Sequence, residues 1–337
     1  MELLDKASGK IRFGIIGTNF IVDKILEAAK LEPRFELAAV YSRTQERADE
    51  FAGKHNIPHT FTSLEAMASS DIIDAVYIAS PNSLHASQSI LFMQHNKHVL
   101  CEKPFASNTR EAKAMIAASE KYDVTLMEAM KPTLTPNFSA ICNHIKEIGT
   151  VRRYFSCYCQ YSSRYDKLKE GIVLNAFDPA LSNGAVMDLG IYTIYPMVVL
   201  FGRPKRISAT GYKLFTGADG QGSVNFEYDG MEATVLYSKI ADSDLPTEIQ
   251  GEEGTITSDR INIISEVKLK KRGGTEYVIS EPNTTHEYYF EVAEFINLIQ
   301  KGKRESEVNS HKNTLITIEI IDEIRKQLGV IYPADSI

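Results

Sequence analysis

Short apolar runs without polar alternation recur through the first part of the chain, at Ile11 to Gly17, Phe35 to Tyr41, Asp74 to Ala79, His98 to Cys101 and Val124 to Met127. A strand with one wet face alternates apolar and polar residues; these have no wet face. They must be covered on both sides, which confines them to a parallel sheet between layers of helices. Helical spacing fills the gaps, beginning with Phe20 to Leu31. Thr44, Ser63, Ser83 and Asn108 stand where N-caps belong, and Asn108 with Glu111 resembles a capping box with Asn in place of Ser or Thr. The pattern is a βαβ alternation.

At 337 residues the chain suits two domains. A division into 1–128, the parallel α/β part, and 129–337 follows from the change of pattern after the fifth run. The net charge is −7 and no dense Lys/Arg cluster is present, which argues against nucleic acid or an anionic membrane as partner. The opening Met1-Glu2-Leu3-Leu4-Asp5-Lys6 lacks the basic start of a secretory signal, and no later segment is read as long enough for a transmembrane helix. A cytoplasmic protein is expected. The cysteines, Cys101, Cys142, Cys157 and Cys159, show no C-x-x-C spacing, so buried free thiols are expected and no metal site is assigned.

A parallel sheet binds ligands beyond the carboxyl ends of its strands. The first such turn, Gly14-Ile15-Ile16-Gly17-Thr18-Asn19-Phe20, offers a helix N-terminus to a dinucleotide pyrophosphate. With Gly17 as first glycine of G-x-G-x-x-G, Asn19 takes the second place and Val22 the third; Asn19 is expected to make the tight turn through a positive φ. The second strand ends in Tyr41-Ser42-Arg43-Thr44, without a carboxylate. Arg43 suits a 2′-phosphate and Ser42 can donate to it, so NADP is favoured over NAD, unless Arg43 only stacks on the adenine. After the third run, Ser80-Pro81-Asn82-Ser83-Leu84-His85 lines the same cleft, with Asn82 preferred over His85 as a ligand to ribose or phosphate. After the fourth comes Glu102-Lys103-Pro104-Phe105, where proline stops the strand and holds Lys103 in place.

Alternating runs near Val151 to Tyr161, Lys205 to Leu214, Ser223 to Tyr228, Glu232 to Ile240 and Ile261 to Lys271 predict an antiparallel meander, with turns at Tyr228-Asp229-Gly230 and Gly251-Glu252-Glu253-Gly254. Closing helices are expected at about His286 to Lys301 and Asn309 to Leu328, without evident chemistry. A free sheet face predicts a homodimer. In Leu181 to Pro196, Asp188 and Tyr192 are four apart on an otherwise apolar helix. A core role with paired polar tips and a functional role both remain open for them.

Gly14-x-x-Gly17, Ser80-Pro81-Asn82-x-x-His85 and Glu102-Lys103-Pro104, in this order and spacing, resemble the glucose-fructose oxidoreductase and inositol dehydrogenase (Gfo/Idh/MocA) family. Asp188-x-Gly190-x-Tyr192 is similar to the tyrosine-containing branch that includes the dimeric dihydrodiol dehydrogenases, although Ser182-Asn183-Gly184 departs from the family's glycine run. The resemblance implies a Rossmann domain followed by an α+β domain with an open, mainly antiparallel sheet that often dimerises. It also implies an NAD(P)-dependent oxidoreductase acting on CH–OH groups of a sugar-like or diol substrate. In that scheme Lys103 contacts the nicotinamide ribose and substrate, Tyr192 is the proton donor and Asp188 orients, while Lys103 lowers the phenol pKa. Lys131, in the hinge, either reaches the cofactor or is a surface lysine. Arg164, Asn175 and Asp178, in the loops from Ser162 to Ala180, are the polar substrate candidates. Two other readings stay open: a non-catalytic dinucleotide-sensing regulator and an NAD-dependent glycosidase.

Overall fold

The computed structural model describes residues 9–336, so the opening Met1 to Lys6 lies outside the described residues. The first sheet is parallel and contains β1 (Ile11–Ile16), β2 (Phe35–Tyr41), β3 (His59–Phe61), β4 (Ala75–Ile78), β5 (His98–Glu102) and β6 (Leu126–Ala129). Their order is β3-β2-β1-β4-β5-β6, so the direction of winding reverses between β1 and β4 and opens a crevice there. The five expected runs are all strands; β3 was not anticipated, being a three-residue edge strand too short for any pattern. The connecting helices are α1 (Phe20–Ala29), α2 (Gln45–His55), α3 (Leu64–Ala68), α4 (His85–Gln94) and α5 (Thr109–Tyr122).

Both faces of the sheet are dry. Phe13, Ile15, Val40, Tyr77 and Leu100 pack on one side with Val22, Ile25 and Leu26 of α1, whereas Ile16, Val76, Ile78 and Val99 meet Phe92, Met93 and Met115 on the other. Each such side chain fully buried contributes about 1.5–3 kcal/mol. The Thr44, Ser63 and Asn108 side chains cap α2, α3 and α5 as expected. Ser83 does not cap: it lies inside a short 3-10 turn, Asn82–Leu84.

The second half contributes α6 (Pro136–His144), β7 (Val151–Cys159), α7 (Tyr165–Lys169), α8 (Ile191–Phe201), β8 (Arg206–Lys213), β9 (Asp219–Glu227), β10 (Glu232–Ser238), β11 (Thr247–Gly251), β12 (Gly254–Ser258), β13 (Val267–Lys271) and β14 (Glu276–Val278). These eight strands form one sheet in the order β14-β13-β12-β11-β7-β10-β9-β8. Both anticipated turns close hairpins, β9–β10 and β11–β12. The sheet is not a simple meander, because β7 and β10 pair in parallel at its centre. Of the run from Ile261 only Val267–Lys271 is strand, and β11, β12 and β14 were not anticipated; they are short and carry few of the apolar residues that mark a strand.

α8 lies on the inner face of this sheet, packing Ile191, Ile194, Tyr195 and Val198 against Tyr154, Val224, Val235 and Tyr237. The stretch Pro179–Phe201 is, against expectation, long and apolar enough by length and composition to cross a membrane, but 72% of its apolar window is buried inside the protein. It is apolar all round because a core helix has neighbours all round. Of the closing helices, α9 (Tyr289–Gln300) leaves the second sheet and α10 (His311–Leu328) bridges the two domains. Val292, Phe295 and Ile296 of α9 join the core under β1 beside α1, and α10 presents Ile318 to the first domain and Ile316, Ile320 and Ile324 to the second.

At the seam, Glu128 is buried at the end of β6, its carboxylate accepting from the Phe105 amide at 2.9 Å and the Thr314 hydroxyl at 2.9 Å. Burial pushes its carboxyl up to about 7. The folded state therefore binds a proton that the unfolded chain releases near pH 4.3, and the stability this gives is lost as pH rises through about 7. Glu128→Gln keeps the shape without the titration. Urea unfolding should find the variant about 2 kcal/mol more stable than wild type at pH 8, and within about 0.5 kcal/mol of it at pH 4.

Candidate active site

Gly17 closes β1 with φ +107°, and a Cβ there would lie 2.6 Å from the Ala79 carbonyl oxygen, so only glycine lets this turn pass so close to the end of β4. Asn19 is not the left-handed residue expected. Its backbone is extended, its Oδ1 caps α1 by accepting from the Ile21 and Val22 amides, and its Nδ2 donates to the Ala79 carbonyl at 2.9 Å. Glycine already supplies the positive φ, which frees Asn19 to tie the turn to β4. Gly14 sits within β1, where a Cβ would run into Met67, so its role is packing beneath the turn. Phe20 is 57% exposed at the helix start.

At the end of β2, Ser42 is half-buried and Arg43 is exposed with no side-chain hydrogen bond or ion pair among the described residues. A second guanidinium, Arg47 in the first turn of α2, donates to the Thr18 hydroxyl and carbonyl at 3.1 Å each and pairs with Glu50 at 2.6 Å. Sequence pattern alone gave no sign of it. On the β4 side, the Ser80 hydroxyl donates to Gln88 at 2.7 Å, and Asn82, after Pro81, donates across the domain boundary to the Ser182 carbonyl at 2.9 Å. His85 is buried, with ring nitrogens 2.9 Å from the Pro104 and Ser80 carbonyl oxygens; burial pushes its pKa down. It bridges the loops that follow β4 and β5.

β5 delivers Glu102, which accepts from the Tyr77 hydroxyl in a very short hydrogen bond; burial pushes its carboxyl up. Lys103 follows, joined to Pro104 by a cis peptide bond. Its ammonium crosses the cleft and donates to the Asp188 carboxylate at 2.8 Å and to the Asp188 carbonyl at 2.9 Å. Asp188 sits in a π-helical turn, Val186–Gly190, that leads into α8, an irregularity that recurs at functional sites. Its other carboxylate oxygen accepts from Lys239 at 2.7 Å. Burial would raise the Asp188 pKa, but the two ammoniums outweigh it and hold the carboxyl far below the usual range. Burial likewise works against the Lys103 ammonium, and Asp188 more than restores it.

Tyr192 lies in the same cluster, with the Lys103 ammonium 4.8 Å from its ring centroid and Tyr158 edge-on at 5.6 Å. Lys103 meets the face of the ring, and burial, with the charge of Glu102 adding to it, pushes the phenol pKa well above 10. The direction is opposite to the lowering expected from Lys103, because burial outweighs it and the ammonium lies over the ring face. The side chains of Lys103, Asp188 and Tyr192 nevertheless converge.

The three substrate candidates do not join them. Arg164 is exposed at the start of α7, Asn175 is exposed in a 3-10 turn, and Asp178 caps the next turn by accepting from the Ala180 amide at 2.9 Å. Lys131 is neither a surface lysine nor free: it is buried, paired with Glu287 in a very short contact and 4.4 Å from the Tyr288 ring centroid. Beside it Glu291 of α9 is wholly buried, with neither carboxylate oxygen hydrogen-bonded among the described residues. Burial, reinforced by Glu102, raises its carboxyl well above the usual range. Lys239 and Tyr158 were missed although alternation carries a signal for both. Lys239 continues the inward register of Ala233, Val235 and Tyr237, and Tyr158 that of Tyr154 and Ser156. Cys157 and Cys159 share the opposite face, with sulfurs 3.6 Å apart; Cys142, expected buried, is exposed.

A parallel sheet that reverses its winding between β1 and β4, followed by a second, mainly antiparallel sheet, is the architecture of a dinucleotide-binding oxidoreductase. Residues 11–130 match the family described as "Oxidoreductase family, NAD-binding Rossmann fold" and residues 145–257 match the "GFO/IDH/MocA C-terminal domain"; the chain belongs to the Gfo/Idh/MocA family. It is 54% identical to scyllo-inositol 2-dehydrogenase (NADP(+)) IolU of Bacillus subtilis (strain 168), over 97% of this chain and 99% of that one. It is 31% identical to trans-1,2-dihydrobenzene-1,2-diol dehydrogenase of Danio rerio, again over 97% and 99%. The aldose-aldose oxidoreductase of Caulobacter crescentus shares the fold, with a TM-score of 0.83 over 94% of this chain and 97% of that one at 20% identity.

Removing the shared carboxylate strands the buried Lys239 ammonium and leaves the half-buried Lys103 without its partner. Because the Asp188 side chain is 35% exposed and its pairs are partly screened, Asp188→Ala should lower stability by about 1–2 kcal/mol in urea unfolding at pH 7, whereas removing an exposed pair such as Arg152 and Glu252 should change it by less than about 1 kcal/mol.

Proposed function

We propose that the protein is an NADP-dependent dehydrogenase that exchanges a ring CH–OH of a cyclic polyol of the inositol class for the corresponding ketone. The convergence of Lys103, Asp188 and Tyr192 at the mouth of the Rossmann crevice carries this reading. The name of the 54%-identical relative supports both the polyol and the choice of NADP.

The crevice suits the cofactor. The close-packed Gly17 turn and the first turn of α1 would receive the pyrophosphate through the Thr18, Asn19 and Phe20 region, and Ser42 with Arg43 and Arg47 would hold the 2′-phosphate. No carboxylate at the end of β2 repels that phosphate. Ser80, Pro81, Glu102 and Lys103 would line the path to the nicotinamide. Asn82 acts through Ser182, keeping the second domain on the cleft. Bound there, nicotinamide supplies the hydride donor or acceptor.

The chain's own residues manage the proton. In carbonyl reduction Tyr192, kept as neutral phenol by burial, donates to the oxygen while the Lys103 ammonium stabilises the developing alkoxide. In alcohol oxidation the phenol must first lose its proton. Because its folded pKa is raised, oxidation should accelerate with pH through the alkaline range, and reduction should not fall until the phenol ionises. A regulator would have no need of this pair, and a glycosidase would show no net cofactor turnover. The free face of the second sheet, where Tyr212 is 56% exposed on β8, is the surface proposed for a homodimer.

The test is absorbance at the nicotinamide band with scyllo-inositol, other inositols, sugars and trans-diols, using NADP and NAD. Tyr192→Phe and Lys103→Met should each lower kcat by about 10²–10⁴-fold, with NADP affinity of Tyr192→Phe unchanged; near-normal turnover in both would sink the assignment. Arg43→Ala should raise KM for NADP by about tenfold and leave KM for NAD unaltered, since a charged hydrogen bond of about 1.5–3 kcal/mol is lost only with the 2′-phosphate.

A further inference from the structure

We propose that Lys239 is a positioning residue for proton transfer: by sharing the Asp188 carboxylate, it keeps Asp188 from cancelling the Lys103 charge that faces the substrate oxygen. This rests on the reading of Lys103 and Tyr192 given above. Lys239 follows β10 in its inward register and is 2% exposed. Burying an ammonium is costly, and an apolar residue would continue the register of Ala233, Val235 and Tyr237 without that cost. The position therefore calls for a compensating use of charge.

The geometry supplies one. Asp188 gives Oδ1 to Lys103 at 2.8 Å and Oδ2 to Lys239 at 2.7 Å. With Lys103 alone the pair would be neutral, and a substrate oxygen would meet a lysine whose field Asp188 cancels. With Lys239 present, two ammoniums share one carboxylate, so Asp188 no longer answers to Lys103 alone. Lys239 also donates to the Ala176 carbonyl at 2.9 Å and lies 5.1 Å from the Phe177 ring centroid, which fixes its direction and joins the cluster to the turn Asn175–Phe177.

The charged and titratable groups around the phenol come from several elements. Lys103 and Glu102 stand at the end of β5, Tyr158 lies on β7, Asp188 in the π turn and Glu291 on α9, with Tyr288 just before it; Asp219 of β9 faces Lys239 from the other side. Among these only Lys103 and Lys239 bring positive charge against Asp188. Removing Lys239 turns the full field of Asp188 on Lys103 and Tyr192, so the phenol holds its proton more tightly. In oxidation, where Tyr192 must be ionised to accept the hydroxyl proton, the rising limb of the pH profile then moves to higher pH.

The experiment compares kcat/KM for polyol oxidation against pH in wild type, Lys239→Met and Lys239→Arg, with NADP affinity and thermal melting measured on each. Lys239→Met should move the rising limb up by about one pH unit and lower kcat at pH 8 by about tenfold, while NADP affinity stays within about twofold. Lys239→Arg, which keeps the charge, should keep the limb at the wild-type pH. If Lys239→Met does not fold, Lys239→Gln is read in the same way. A uniform fall in kcat/KM with the limb unmoved in the neutral variant would make Lys239 only a clamp for Ala176 and overturn the inference. Tyr192→Phe separates the two claims: if it turns over normally the assignment of the site has failed, and if it is inactive while the limb is unmoved only the role of Lys239 has.

Discussion

Asp188 takes an ammonium on each carboxylate oxygen, one from the parallel sheet and one from the antiparallel sheet. Lys239 could not stay buried without it, since an uncompensated buried charge costs about 3–5 kcal/mol, and Lys103 would lose the partner that holds it across the cleft. The carboxylate thus does three things at once. It lets Lys239 keep its charge while buried, fixes where Lys103 ends, and joins domains whose cores are otherwise separate clusters. The π turn is the local device that makes this possible, because it places the Asp188 side chain and carbonyl together within reach of one ammonium.

Smaller contacts run parallel to that tie. Asn82 reaches the Ser182 carbonyl, and the Ser182 hydroxyl reaches that of Ser107 at 2.9 Å. Ser182 adopts a left-handed conformation, φ +55°, at the point where the family's glycine run is broken. It accepts that backbone cost where its two polar groups meet the first domain. Ser182 thus ties the second domain to the first through both its carbonyl and its hydroxyl.

Much of the fold was legible because the first-domain strands lack polar positions: Val76 to Ile78 or Val99 to Cys101 can exist only between two layers. Lys103, Asp188 and Tyr192 were legible because each is a polar residue in an apolar context bounded by proline or glycine. Asn19 was misread because two residues can resolve one tight turn, and Gly17 took the positive φ. Lys131 and Glu291 were unreadable for a different reason. Their burial depends on α9 arriving from the far end of the chain, and no local pattern encodes which surface a helix returns to. The parallel pairing of β7 with β10 was hidden likewise, since alternation fixes which side chains face inward but not which strand lies beside which.

The return of α9 to the first sheet bears on how such proteins can be recombined. The cofactor half and the substrate half are not consecutive stretches of chain: β1 and α1 share their core with Val292, Phe295 and Ile296 from beyond the second sheet. A gene cut once, near residue 128, would bare that apolar face. The substrate half is in effect an insertion in the cofactor half, and because α10 packs Ile316, Ile320 and Ile324 into the second core, exchanging that half between relatives means cutting before α6 and before α9 and matching that face of α10 as well. Whatever new pocket is inserted must still bring a carboxylate to meet Lys103.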